Sequence, residues 1–404
     1  MLQTNMLLRR ANTLIRARRP PEQESWRYTV RRQRVVMDPR PAQERLLTYV
    51  FFRSFGCRYD RAGECTMCNY AAAERVDLDR MVESVREALG QHDDYDALGI
   101  SPLGNMFDPA EVPVVAREAI FGMAAQTSAS IFSCESRPEM LTEQSIAVTV
   151  ERLAGKRFFI NLGLESADPW IQRHCVGKSL SVDAYRAATA LLRRYDAFPV
   201  SNVLLGAPFL TEEEAIESAV GSVNWALENG SHICVLFPSN VKGWTLQEWL
   251  WERGLFQTPS LWALVEALRR MGPEVSRSVV LSWYSTTPTD PRRREQVSDP
   301  LREAPVTCPD CQADVVRALD QFNAGGDYSV ILELSRHSCA CRSQWLDRLG
   351  RERRGHSPLV ERTVAAYDRI GAELVGADWW RERRSTVIAD LARDYDSSGV
   401  LAVS

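Results

Sequence analysis

The chain has 404 residues, 45% of them apolar and 25% charged, with a formal net charge of -4, the composition of an ordinary globular protein long enough for one large domain plus a smaller one. No run of 18 apolar residues occurs, which excludes a membrane-spanning helix. No secretory leader pattern is present either, so the expected compartment is the cytoplasm. Only three of the 49 basic residues are lysine, Lys156, Lys178 and Lys242, and these side chains stand out against an arginine background. Ten cysteines without a leader, seven of them at short spacings, read as metal ligands in a reducing compartment rather than as disulfides.

Residues 1–40 form a basic N-terminal extension with Arg9, Arg10, Arg16, Arg18, Arg19, Arg27, Arg31, Arg32 and Arg34. It reads as a solvated, partly helical segment, with an arm for a polyanion as the alternative. The rest of the chain shows no basic stripe with interleaved aromatics, which favours the first. From 41 to 286, apolar runs of strand length recur at 47–52, 97–101, 129–134, 157–164, 198–205, 232–237 and 277–283. Helical patterns separate them. In 77–90 the apolar positions Leu78, Met81, Val82, Val85 and Leu89 repeat at helical spacing, between an acidic start and a glycine stop. Strand and helix alternating this way predict an α/β fold with a parallel sheet, a partial or full β/α barrel whose chemistry lies at the C-terminal ends of the strands.

Directly after the first run comes FRSFGCRYDRAGECTMCNY, with Cys57, Cys65 and Cys68. Three thiolates are one too few for a closed tetrahedral zinc site, and the nearest later histidine is His92. A 4Fe-4S cluster held by three cysteines leaves one iron without a protein ligand, open to the amino and carboxylate groups of S-adenosylmethionine. Polar residues follow the next strands: Asn105 and Asp108, then Glu135 and Arg137, then Glu165, with Lys178 a little further on. Each alone fits helix capping or solvation. Together they fall on one rim of the predicted barrel.

Residues 287–404 read as a linker, from Pro288 to Pro305, followed by a small cysteine-rich helical region. The pairs Cys308, Cys311 and Cys339, Cys341, about 30 residues apart, make a four-thiolate metal site. Structural zinc is favoured over an auxiliary iron-sulfur cluster because a closed site would stabilise so small a region. Cys134, Cys175 and Cys234 read as small buried apolar residues. Trp244, Trp262 and Trp283, on or after late strands, are core residues or walls of a cavity.

The triad in FGCRYDRAGECTMCNY, with SPLGNMFDPAEVP, ESRPEMLT, GLESAD, APFLTEEEAI and the tail of CPDC, FN, CAC and Trp345, resembles the radical S-adenosylmethionine superfamily. The seven residues between the first two cysteines point to the branch of archaeosine biosynthesis and its Elongator-like relatives. The similarity spans residues 45–345. It implies that Cys57, Cys65 and Cys68 ligate the cluster and that the segment around Asn105 replaces the superfamily's glycine-rich methionine-binding stretch, although LGN stands here where many relatives place Gly-Glu. It further implies that Glu135, Arg137 and Lys178, with Glu165 on the same rim, contact the methionine carboxylate or ribose. The implied reaction is reductive cleavage of S-adenosylmethionine to a 5′-deoxyadenosyl radical that abstracts hydrogen, with an electron donor such as ferredoxin or flavodoxin. Two substrates stay open: a small molecule, in which a carbon-nitrogen bond is cut to form an amidine, and a lysine-deazaguanine adduct in tRNA. The net charge favours the small molecule. A non-enzymatic metal-binding scaffold is the third reading.

Overall fold

The computed structural model describes residues 5–19, 28–39, 42–70, 76–285 and 301–398. The alternating apolar runs become strands of one eight-stranded sheet: β1 (Tyr28–Pro39), β2 (Ala42–Phe52), β3 (Ala97–Ser101), β4 (Ile131–Ser136), β5 (Arg157–Glu165), β6 (Phe198–Leu205), β7 (Ile233–Pro238) and, beyond a short β8 (Val241–Lys242), β9 (Val279–Leu281). β1 pairs antiparallel with β2, and every later neighbour is parallel. β8 pairs outside this sheet with β10 (Leu301–Glu303). Residues 28–39, read above within the basic extension, thus stand in the sheet. Of the stretch read as a linker, 288–300 lies outside the described residues.

The helices begin with α1 (Met6–Arg16) before the sheet and α2 (Arg58–Arg61), a single turn after β2. Crossovers between parallel strands run through α3 (Leu78–Leu89), α4 (Val114–Gln126), α5 (Glu143–Arg152), the short α6 (Pro169–Ile171) with α7 (Val182–Arg194), α8 (Glu212–Glu228), and α9 (Leu246–Glu252) with α10 (Leu261–Ser276). α3 shows how locally the sequence decides: the Asp77 carboxylate accepts from the Arg80 amide at its start, Gly90 closes it, and Met81, Val85 and Ala88 form the buried face. After the sheet come α11 (Pro309–Gly325), α12 (Tyr328–Leu334), α13 (Ala340–Arg354), α14 (Leu359–Arg369) and α15 (Ala377–Ser398). Among the described residues, no helix is long and apolar enough to cross a membrane.

The sheet curls until β1 approaches β9, with the Arg31 guanidinium 4.7 Å from the Trp283 ring across the gap. No β1–β9 ladder closes the ring. Instead Asn323, on α11, offers its side-chain amide to the edge of β9: its Oδ1 accepts from the Leu281 amide at 2.7 Å and its Nδ2 donates to the Leu281 carbonyl at 2.8 Å. A side-chain amide thus takes the place of a neighbouring strand and satisfies an edge left open. The fold is a nearly closed β/α barrel with a small cysteine-rich helical region against its seam.

Three apolar clusters hold it. The largest lies between the sheet and its surrounding helices, a second plugs the barrel at the N-terminal ends of the strands, and a third gathers α1, Met67, Trp170, Trp249, Tyr367 and Trp380 over the opposite end. Cys134, Cys175 and Cys234 are buried in these cores, as expected. Polar bonds fasten the third cluster. Asn5 donates to Tyr367 Oη at 2.6 Å and shares a 3.0 Å bond with His174 Nδ1, whose Nε2 lies 2.9 Å from Asp394. Burial pushes the His174 imidazole down to about 4, against the opposing pull of Asp394. An imidazole depressed in the folded state favours folding above its unfolded value and loses that contribution as pH falls toward 4. Thermal denaturation should therefore show stability falling between about pH 6.5 and pH 4 by up to roughly 3 kcal/mol, and His174→Gln should flatten that slope.

Candidate active site at the C-terminal ends of the strands

Side chains two apart along each strand face the barrel interior and change character with height. Leu47, Ala97, Ile131, Phe159, Val200, Ile233 and Val280 make the apolar floor. One step up, Tyr49, Ser133, Asn161 and Asn202 bring hydroxyls and amides, and above them stand Glu135 and Glu165. Asn161 Nδ2 donates to Tyr49 Oη at 3.0 Å. Gly99 makes room for that phenol, since a Cβ there would lie 2.6 Å from the Tyr49 ring. Over these residues lies a cavity of about 280 Å³. Cys57, Cys65, Cys68, Asn105, Glu135, Arg137, Glu165 and Lys178 all line it. Trp283 lines it too, whereas Trp262 is buried on α10 and Trp244 lies away from the lining.

The cysteine loop is tied down by backbone. Cys57 stands at the N-terminus of α2 and Cys65 turns the chain with φ of 62°. The Cys65 and Thr66 amides donate to the carbonyls of Gly177 and Val176 at 3.2 and 2.8 Å, and Asn69 Nδ2 donates to the Gly243 carbonyl at 2.8 Å. Arg16 reaches in from α1 and donates to the carbonyls of Glu64, Cys65 and Cys68 at 2.9, 2.9 and 3.0 Å. The Cys65 thiol is lowered by its hydrogen bond with Cys68 and by the Lys178 and Arg137 cations, although burial opposes them. Burial and the nearby Glu111 charge raise Cys57. The three-thiol loop fits a cluster: it faces a cavity, and among the described residues its sulfurs do not belong to any group compact enough for a single ion.

Around the loop the rim residues are bound to one another. Lys178 Nζ meets Glu165 at 2.7 Å and the Gly163 carbonyl. Gly163 leaves room for this amine, since a Cβ there would come within 2.8 Å of Nζ. Glu135 accepts from Ser101 Oγ at 2.5 Å, and burial raises its pKa. Asn105 Oδ1 accepts the Arg137 amide. The Arg137 guanidinium holds Glu64 at 3.1 Å, Glu139 at 2.6 Å and the Ser179 carbonyl at 3.1 Å, and lies 3.6 Å from the Tyr59 ring. Its partners join the cysteine loop to the strands, so it orients the site more than it offers a free donor.

Sequence reading missed three participants and singled out a fourth, Lys242, without placing it in the site. Glu111, three residues past Asp108, folds back under the Gly104–Asn105 turn, where any Cβ on Gly104 would collide with its carboxylate. Burial, with Asp108 and Glu135, pushes that carboxyl up to about 8 against a bond from the Asn105 amide. Tyr49 and Asn161 were legible only through the period-2 alternation within strands already identified. Lys242, whose Nζ donates to Tyr70 Oη at 2.7 Å and lies 5.4 Å from the Trp283 ring, carried one signal, its rarity. The expected contact of the rim with S-adenosylmethionine is tested by Lys178→Ala, which should weaken its binding by about 1 to 3 kcal/mol, a charge-assisted contact's worth. Calorimetric titration of S-adenosylmethionine into the reconstituted protein measures this, and Glu135→Ala should behave alike.

At the seam, Cys308 and Cys339 stand at the N-termini of α11 and α13. Two helix dipoles therefore point their positive ends at four sulfurs. The Cys308–Cys311, Cys308–Cys339, Cys311–Cys341 and Cys339–Cys341 sulfur distances are 3.4, 3.4, 3.5 and 3.4 Å. Four thiolates around one zinc at about 2.3 Å lie about 3.8 Å apart. A cubane inside four thiolates needs corners spread far wider. Trp262 Nε1 donates to Cys341 Sγ at 3.4 Å, and despite burial the hydrogen bonds around it hold that thiol at about 6.

No family model matches the chain. The archaeosine synthase subunit beta of Methanosarcina acetivorans is 26% identical over 335 residues, 78% of this chain and 92% of the relative. That of Thermococcus kodakarensis is 26% identical over 310 residues, 74% of this chain and 90% of the relative. Among solved structures, methylornithine synthase is 15% identical with a TM-score of 0.43, covering 70% of this chain and 85% of that one. The similarity to proteins of archaeosine synthesis read from the motifs is thus found along most of the chain.

Proposed function

We propose that this chain is a radical S-adenosylmethionine enzyme. In this reading Cys57, Cys65 and Cys68 hold a 4Fe-4S cluster over the barrel cavity, and Asn105, Glu135, Glu165 and Lys178 receive S-adenosylmethionine beside it. The observation that carries the reading is a single cavity lined by all three cysteines and by polar residues from consecutive strand ends. When bound, cluster and cofactor supply one-electron chemistry that makes a carbon radical from S-adenosylmethionine, with a ferredoxin- or flavodoxin-type donor providing the electron.

The chain's own residues orient and exclude. The apolar floor closes the barrel from below, so a reactive carbon is kept from water. Lys178 and Glu165 present paired charges to a zwitterionic ligand, and Arg137 fixes the cysteine loop against β4. Tyr49, Asn161 and Asn202 form a polar shelf beneath, and Lys242, Tyr70, Trp283 and Arg31 wall one side with rings and cations suited to a flat or anionic substrate. Cys308, Cys311, Cys339 and Cys341 hold zinc in the same reading, supported by sulfur spacings near those of one tetrahedral ion.

The substrate is a small molecule, or one carried by a partner, and the product of carbon-nitrogen cleavage is an amidine. A second reading draws support from the relatives' name, archaeosine synthase subunit beta: the same cleavage on an adduct in tRNA, performed beside a partner subunit. Titration of tRNA at low and at physiological salt decides between them, using the full chain and an Arg18→Gln, Arg34→Gln variant. Weak binding that physiological salt erases is the expected result. Tight, tRNA-specific binding that survives would overturn the first reading and establish the second.

A further inference from the structure

We propose that α1 is a built-in clamp that forms the cysteine loop before any cluster enters, with Arg16 as its positioning residue. The purpose of the clamp rests on the reading of Cys57, Cys65 and Cys68 as cluster ligands. Its geometry does not. Three carbonyls, those of Glu64, Cys65 and Cys68, converge on one guanidinium nitrogen at 2.9, 2.9 and 3.0 Å. The other terminal nitrogen meets the Asp60 carbonyl, and the Asp60 carboxylate is paired with the same side chain. Carbonyl oxygens gathered this closely repel one another unless a cation sits among them. Arginine's planar fork lets one terminal nitrogen sit among the three carbonyls while the other reaches the Asp60 carbonyl, two points that lysine's single nitrogen cannot occupy at once.

The rest of α1 repeats the pattern. Arg9 Nε donates to the Ala62 carbonyl at 2.6 Å, and Asn12 Nδ2 donates to the Gly63 carbonyl at 2.9 Å. A Cβ on Gly63, where φ is +86°, would collide with the Arg9 carbonyl, so the loop lies flush on the helix. Leu7, Leu8, Ala11 and Ile15 seat the opposite face in the third apolar cluster. These bonds from Arg9, Asn12 and Arg16 go to loop backbone or to Asp60 and not to a thiol, so they leave the sulfurs to the cavity. A guanidinium beside the loop also favours the more negative, reduced state of a cluster held there.

The test uses the full chain as Arg16→Gln and Arg16→Lys. Amide exchange of residues 57–70 is measured in the metal-free protein, then chelator resistance and midpoint potential after anaerobic reconstitution. Arg16→Gln should exchange the loop at least tenfold faster, lose iron to chelator at least tenfold faster and shift the potential negative. Arg16→Lys should restore much of the potential and little of the exchange protection. Wild-type exchange in Arg16→Gln overturns the proposal, and so does faster exchange with an unchanged potential, which would reduce Arg16 to packing. Faster exchange in a protein that never binds iron keeps the clamp and sinks the cluster reading, so the two fail separately. Should Arg16→Gln not fold, Arg9→Gln and Asn12→Ala each remove one helix-to-loop bond and carry the same readouts.

Discussion

Alanine at Cys57, Cys65 and Cys68 together is expected to abolish reductive cleavage of S-adenosylmethionine. Anaerobic reconstitution of the wild type should add about four irons at this site, and the triple variant should add none there and form no 5′-deoxyadenosine. The size of the effect follows from chemistry: without thiolates there is no route for the electron. The variant is also informative because the loop does not depend on its sulfurs for shape. Its anchors are the Arg16 fork, the Cys65 and Thr66 amides and the Asn69 side chain, all of which survive the substitution. Thermal stability close to that of metal-free wild type should accompany the loss. Wild-type amounts of 5′-deoxyadenosine from this variant would end the radical reading.

Cys308→Ala should have the second-largest effect, and on stability rather than on chemistry. Structural zinc sites bind with apparent free energies of about 10 to 16 kcal/mol, which is folding free energy for the elements they join. Here those elements are α11 and α13, and α11 carries the Asn323 amide that finishes the edge of β9. The variant should lose its metal, melt at markedly lower temperature and keep the absorption of the first cluster. Metal analysis in the background lacking the triad cysteines names the ion. One zinc per chain is expected, whereas four irons would make the site an auxiliary cluster and overturn the zinc assignment.

The fold was legible because the strands are buried on both faces and therefore read as apolar runs: the segment expected at 198–205 is β6 residue for residue, and 77–90 is α3 with its two caps. β1 was not, since its run of arginine and glutamine looks like solvated chain until it pairs with β2 and turns Val35 and Met37 inward. The cysteines announced themselves through residue type and spacing. Glu111 and Arg16 could not, because a carboxylate three positions past an aspartate and one arginine among many carry no local pattern. Their meaning comes from a turn and a helix brought to them by tertiary structure.

The seating of α1 has a consequence for how the protein comes into being. Asn5 bonds Tyr367, 362 residues away, and His174 is held from one side by Asn5 and from the other by Asp394. The segment that grips the cysteine loop leaves the ribosome long before α14 and α15, which form much of its seat. Contacts of such sequence separation form late, because the chain entropy lost in closing so long a loop must be met before they return anything. A nascent chain can therefore fold its parallel strands in order of synthesis, yet hold its cysteine loop unclamped until α14 and α15 arrive. In the proposed reading, cluster insertion belongs after translation, in a protein that has already joined its two distant helical segments.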